Sequence, residues 1–165
     1  MMPANLNDTK KSIDDLKAFS VRTFEHANEF KTTALVLYSD VKLFRQSSFS
    51  VATNAAFACE LYLKSIIAAL QYKKSHGHYL DELFSEIGDE EIKLRIKNAT
   101  QRDDFDSVLK NISKAFYIVR YANEYTGMTI EVEFLLRLMI ELQKECAKLC
   151  KSSREQIERN EEENK

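Results

Sequence analysis

Punctuation is nearly absent from this chain of 165 residues, which carries one proline, Pro3, and three glycines, Gly77, Gly88 and Gly127. Gly and Pro are the strongest local breakers, so a chain this poor in them reads as almost uninterrupted helix. Its glycines should mark junctions, as helix C-caps or turn residues. No period of about 20–50 residues repeats, which excludes a solenoid. Cysteine is scarce too: Cys59, Cys146 and Cys150 form neither a zinc ribbon nor a redox Cys-x-x-Cys. Cys146 and Cys150 stand one turn apart and read as reduced core packing. An excess of one charge is also missing, with 24 Lys and Arg against 26 Asp and Glu, a formal net charge of −2. That excludes a globally basic nucleic-acid binder and leaves room for a local basic groove. There is no Gly-rich phosphate loop, no Gly-x-Ser-x-Gly elbow and no His-Glu-x-x-His, which argues against triphosphate hydrolysis, esterase and metalloprotease chemistry. No cofactor and no metal site are expected. Met1–Lys11 is polar and lacks an apolar h-region, so no signal peptide is read and the protein is expected in the cytoplasm.

What is present is an ordinary soluble balance, 44% apolar and 30% charged, in a length that suits one core. The stretch Ser50–Gln71, SVATNAAFACELYLKSIIAALQ, organises the rest. Ala52, Ala55, Ala56, Cys59, Leu63, Ile66, Ile67 and Leu70 recur at helical spacing. Phe57, Ala58, Leu61 and Tyr62 carry the apolar surface most of the way round, leaving a narrow stripe of Thr53, Glu60, Lys64 and Gln71. A helix apolar on nearly every side needs neighbours all round. It is not a membrane span, because Glu60 and Lys64 would sit mid-bilayer at a cost of several kcal/mol.

Before it, Ser12–Asp15 resembles a capping box and an apolar face runs to about Arg45. That would be a helix of about 50 Å, so a break is expected near Lys31-Thr32-Thr33. Gln46-Ser47-Ser48 is read as the turn into the central helix. Lys73, Lys74 and His76 suit that helix's C-terminus, with Gly77 as its stop. His78–Phe84 then reads as a short helix closed by Gly88, and Asp89-Glu90-Glu91 opens another. Asn98–Arg102 reads as a polar loop. Asp103 or Asp104 can cap the next helix, whose stripe is Phe105, Val108, Leu109, Ile112, Ala115, Phe116, Val119 and Ala122, with Gly127 as its end. A last helix starts near Thr129 and buries Leu135, Leu138, Met139, Leu142, Cys146 and Leu149. The economical fold is all-α, an antiparallel bundle of about five helices. It reads as a single domain over residues 8–150, followed by a charged tail, 151–165, that extends the helix or frays.

Several polar residues are candidates for a site. With Ile112 at the middle of its stripe, Asn123 falls about 20° from that line and Arg120 about 80°. An amide on the core side and a guanidinium at its edge suggest a polar pocket at one end of the bundle, since buried polar groups need partners. Alternatively Arg120 pairs with Glu124 or Glu60, and Asn123 caps a neighbouring helix. Glu60 and Lys64 are an i,i+4 pair in the favourable order. They form a local ion pair, orient Arg120, or offer the Lys64 cation to phosphate. His76 and His78 make a His-x-His without the carboxylate or cysteine that would complete a tetrahedral metal set. His78 is expected to hydrogen-bond a bundle neighbour, and His26 to be packed or half exposed.

Three segments together resemble a known family. Asn54-Ala-Ala-Phe-Ala-Cys-Glu60-Leu-Tyr-Leu-Lys64 resembles the glutamate-x-x-x-lysine helix of the HEPN domain family. His78-Tyr-Leu80-Asp-Glu-Leu83 resembles its His-x-Leu-x-x-Leu segment, and Phe116-Tyr-Ile-Val-Arg120-Tyr121 its aromatic-rich Arg-Tyr ending. The resemblance runs from about Phe30 to Gly127. It implies a helical bundle, commonly a homodimer, in defence, toxin–antitoxin or RNA-processing systems. It also implies, for active members, metal-independent RNase chemistry by Arg-x(4–6)-His at the dimer cleft. There a histidine moves a proton and an arginine stabilises the phosphorane. Arg120 matches the arginine. At the shortest spacing the histidine is replaced by Tyr125, and no histidine follows it. Tyrosine titrates near 10 and is a poor base at neutral pH.

The leading reading is therefore a non-catalytic module in which Arg120, Asn123, Lys64 and Glu60 form a site for RNA or a nucleotide phosphate. The second is a divergent RNase or toxin with Arg120 as phosphate clamp and Tyr125 or His78 as proton carrier. The third is a structural homodimer that binds a partner protein.

Overall fold

The computed structural model describes residues 6–119 and 131–163. Six helices lie within them: α1 (Leu6–Ser39), α2 (Val41–Gln71), α3 (Leu80–Glu86), α4 (Glu90–Thr100), α5 (Phe105–Val119) and α6 (Val132–Glu163). The all-α bundle of the sequence reading is what forms, with six helices among the described residues rather than five. The sequence puts the boundary between the first two helices at Gln46–Ser48, so its run from 12 to 45 takes in α1 and the start of α2.

The expected break at Lys31–Thr33 does not occur. Thr32 and Thr33 donate their hydroxyls to the carbonyls of Asn28 and Glu29 within the same helix, at 2.8 and 3.1 Å. Phe30 stacks on Phe57 with ring centroids 5.4 Å apart and Ala34 is fully buried, so packing holds the helix straight through. The chain turns instead at Asp40, in an extended conformation, whose Oδ1 accepts from the N–H groups of Lys42 and Leu43 at 2.7 and 2.9 Å. That is an N-cap, and it starts α2 at Val41, nine residues before Ser50. The expected turn at Gln46–Ser48 is a kink: Ser47 leaves helical geometry (φ −135°, ψ 23°) and donates its hydroxyl to the Leu43 carbonyl. Such back-bonding bends helices.

Glycine misled at the other end of α2. The helix stops at Gln71, not Gly77, because Tyr72 adopts the left-handed conformation (φ 49°) and gives its N–H to the Ala68 carbonyl at 3.2 Å. Gln101 does the same for α4 (φ 54°), so that helix takes in much of the expected Asn98–Arg102 loop. Left-handed geometry at a residue with a Cβ costs about 1–2 kcal/mol, which the surrounding packing must offset. The expected opening of a helix at Asp89-Glu90-Glu91 does occur, and Asp89 is its cap, accepting from Ile92 N–H at 3.0 Å. Gly127 and Thr129, expected as helix end and helix start, lie outside the described residues.

Contacts along the chain give the helix directions. α1 runs antiparallel to α2: Ser20 meets Ser65, Asn28 meets Tyr62, and Tyr38 meets Phe44. α6 runs antiparallel to α1 in turn, since Asp14 meets Asn160 and Ser20 meets Cys150. Small residues let α1 and α2 approach: Ala27 and Ala34 on one, Ala52, Ala55, Ala56 and Ala58 on the other, all buried. The three long helices meet at Ser20, Ser65 and Cys146. Ser20 donates to the Ser65 carbonyl and Ser65 to the Ser20 carbonyl, at 2.9 and 2.8 Å, while the Cys146 thiol donates to Ser65 Oγ. Burial drives the Cys59 and Cys146 thiols well up from their ordinary pKa. α6 continues unbroken past Lys151, where Arg154 bonds Glu25 at 2.6 Å and Asn160 bonds Asp14 at 3.1 Å.

α4 is fastened to α6 through Glu145, which is buried and takes bonds from Arg95 (3.1 Å) and Lys148 (2.7 Å). Burial works to raise the Glu145 carboxyl, and these cations outweigh it and hold the pKa below the ordinary value. A depressed carboxyl stabilises the fold above its unfolded pKa, about 4.3, and that stability is lost as pH falls through the folded value. The urea midpoint of the wild type should therefore exceed that of Glu145→Gln at pH 7, and the gap should shrink by pH 3. A gap independent of pH would show that Glu145 does not fold as a carboxylate.

Candidate functional site

Glu60 is the charged residue around which the candidate site is built. It lies on α2 with only 4% of its surface exposed. Lys64, one turn on, donates to its Oε1 at 2.8 Å, with 14% of the lysine side chain exposed. The non-helical segment 72–79 then returns along α2 and brings His78 to the level of Glu60. Leu80 and Leu83, fully buried behind it, anchor that segment, and Ser113 of α5 accepts the Asp81 N–H at 2.9 Å. The two leucines of the His-x-Leu-x-x-Leu pattern are thus packing residues that position the histidine.

His78 Nδ1 sits 2.9 Å from Glu60 Oε1, the same oxygen that Lys64 binds. A carboxylate paired with an ammonium is an acceptor only, so Nδ1 carries the proton and donates it to Glu60. In the neutral ring the outward nitrogen, Nε2, then carries the lone pair, and 56% of the imidazole side chain is exposed. A buried carboxylate that fixes one ring nitrogen sets the ring's orientation and tautomer, and leaves the other nitrogen free to accept or transfer a proton. Chemically the arrangement offers one oriented hydrogen-bonding or proton-carrying group at the surface. The Lys64 ammonium is taken up by Glu60.

Two elements of the sequence reading, the Glu60/Lys64 pair and the His-x-Leu-x-x-Leu segment, therefore converge in space. The expectation that His78 bonds a bundle neighbour is met, and the neighbour is Glu60, which the sequence did not point to across 18 positions. Arg120, Asn123 and Tyr125 lie outside the described residues. His76 is exposed, and so is His26, which the sequence placed as packed or half exposed; the apolar contacts on α1 go to Phe24, Ala27 and Phe30 instead. Below the site, the Tyr62 hydroxyl donates to Asn28 Oδ1 at 2.7 Å, and burial raises its pKa.

The profile of the HEPN domain matches residues 22–159, most of the chain. The chain belongs to the HEPN domain family. No curated protein and no solved structure matches it. Within this HEPN domain, no helix of the described residues is long and apolar enough to cross a membrane. Nor do the described residues gather three or more His, Cys, Asp or Glu side chains in a metal-binding group.

Proposed function

We propose that this HEPN domain binds RNA or a nucleotide phosphate without cleaving it, with His78 as a fixed contact and Arg120 and Asn123 as phosphate and polar ligands. The observation that carries the reading is the 2.9 Å bond from His78 to the buried Glu60, which presents Nε2 outward in one orientation. Tyr125 in the position of the motif histidine supports binding over cleavage, because proton transfer at neutral pH needs a group titrating nearer 7. Glu60 and Lys64 serve as positioning residues. A cytoplasmic homodimer in a defence, toxin–antitoxin or RNA-processing system accompanies this reading, as the family implies.

A second reading rests on the same bond. His78 Nε2 would take the proton from a ribose 2′-hydroxyl while that oxygen bonds phosphorus. The bond from phosphorus to the 5′ oxygen would then break, and the leaving oxygen would regain a proton, giving a 2′,3′-cyclic phosphate. Arg120 would stabilise the phosphorane.

Mixed structured RNA incubated with the purified chain in EDTA separates the two. Binding predicts intact RNA, retention that falls as salt rises, and weaker retention by Arg120→Ala and His78→Ala. New RNA ends that disappear in either variant would overturn the binding reading and establish the nuclease. Retention unchanged between low and moderate salt would remove phosphate contacts as its basis.

A further inference from the structure

The segment between α2 and α3 alternates. Lys73 bonds Glu86 at 2.8 Å, Ser75 bonds the same carboxylate at 2.7 Å, and a Cβ at Gly77 would touch Leu83 at 3.6 Å, so these positions face α3. Tyr72, Lys74, His76 and His78, the positions between and beside them, are exposed. A period of two is that of extended chain, in which every second side chain stands about 7 Å from the last on one side. The exposed row thus leads from the end of α2 to the His78 site, over at most about 20 Å.

The row holds no acid. The carboxylates bonded to the segment are engaged, Glu86 with Lys73 and Ser75, Glu60 with Lys64 and His78. Lys74 bonds no carboxylate among the described residues; its ammonium lies 4.8 Å from the Phe19 ring centroid. It is a point cation of the kind that takes phosphate. Tyr72, in its left-handed turn at the head of the row, is 45% exposed and offers a ring on which a base can stack.

His78 selects the sugar. With its Nδ1 proton given to Glu60, the neutral ring meets a ligand through the lone pair of Nε2. A phosphodiester oxygen has no proton to give that nitrogen, whereas a ribose 2′-hydroxyl has one. The 2′-hydroxyl is what tells RNA from DNA. A row one side chain wide with an aromatic ring at its head also suits a single strand, because in a duplex the bases already stack on one another.

We propose that residues 72–78 are a strap along which single-stranded RNA lies, with a base on Tyr72, a phosphate at Lys74 and a ribose 2′-hydroxyl at His78. The strap rests on the RNA-binding reading above and adds the form of RNA that the site takes.

The probes are a fluorescein-labelled, unstructured RNA of about 12 nucleotides, a DNA of the same sequence, and the RNA paired with its complement. Anisotropy against the full chain in EDTA should show the single-stranded RNA binding at least about tenfold more tightly than the other two. Tyr72→Ala should weaken that binding roughly 5- to 150-fold, the range of one base–aromatic stack, while Tyr72→Phe should keep it. Lys74→Ala should lower the slope of log affinity against log salt by about 0.7, one phosphate contact on a single strand. His78→Ala should remove the preference for RNA over DNA. Lys110→Ala, at an exposed position on α5, should change neither affinity nor slope. Equal affinity for the duplex or for the DNA, or binding untouched by Tyr72→Ala and Lys74→Ala, would overturn the strap. If such binding is still lost in Arg120→Ala, the RNA-binding reading stands without the strap. Failure of all three probes to bind would remove both.

Discussion

Glu60→Ala should destabilise the domain by about 3–5 kcal/mol, the usual cost of removing one partner from a buried ion pair. Glu60 holds both Lys64 and His78 on a single oxygen, and Lys64 is nearly as buried as its partner. Without the carboxylate, an ammonium stays in apolar surroundings with no counter-charge. Its flexible stem lets it reach toward water, which favours the lower end of the range. For a domain this size the melting temperature should fall by roughly 6–20 °C, taking about 2–4 °C per kcal/mol. Glu60→Gln keeps the shape and one acceptor, and should lose less. His78→Ala should lose least, because its ring is half exposed and Lys64 keeps its counter-ion. Urea unfolding of the three variants gives the order directly. A loss below about 1 kcal/mol in Glu60→Ala would mean that the ion pair does not organise this region. If Glu60→Ala and His78→Ala weaken RNA retention alike while differing in stability, Glu60 acts on the ligand through His78.

Leu63→Ala should cost about 2–5 kcal/mol, the range for deleting a leucine side chain into a cavity that the surroundings only partly close. Leu63 is fully buried on α2, the helix that packs against both α1 and α6, with Tyr62, Ile66 and Ile67 equally buried beside it. Collapse from any one side is blocked by the others, so the cavity should persist. Leu94→Ala supplies the comparison on α4, where the side chain is 58% exposed and the change should stay within about 0.5 kcal/mol. Chemical denaturation at pH 7 measures both. Equal effects at the two positions would contradict the core described above.

Much of this architecture was legible because helix formation and burial leave a periodic trace. The stripe on α2 reads as apolar on nearly every side, and Val51 to Ala68 is indeed almost continuously buried. On α6 the residues at helical spacing, Leu135, Leu138, Met139, Leu142 and Cys146, are the ones that pack inward. The start of α4 at Asp89-Glu90-Glu91 was readable because acids in a first turn suit the helix dipole, a local effect like the bond of Asp89 to Ile92 N–H three residues on.

What the sequence determined by itself, then, was the all-α class, the identity of the buried faces and the family. These follow from local spacing and composition. The tertiary structure decided where the helices end and what Glu60 touches. Tyr72 and Gln101 take left-handed geometry that neither residue prefers, so no local signal marks those ends. Thr32 and Thr33 look like breakers until α2 is packed against their helix. The Glu60–His78 bond exists because a loop returns along α2, held by Leu80 and Leu83 in the core. Propensity acts over a turn or two of chain, whereas that bond depends on packing between segments far apart in it.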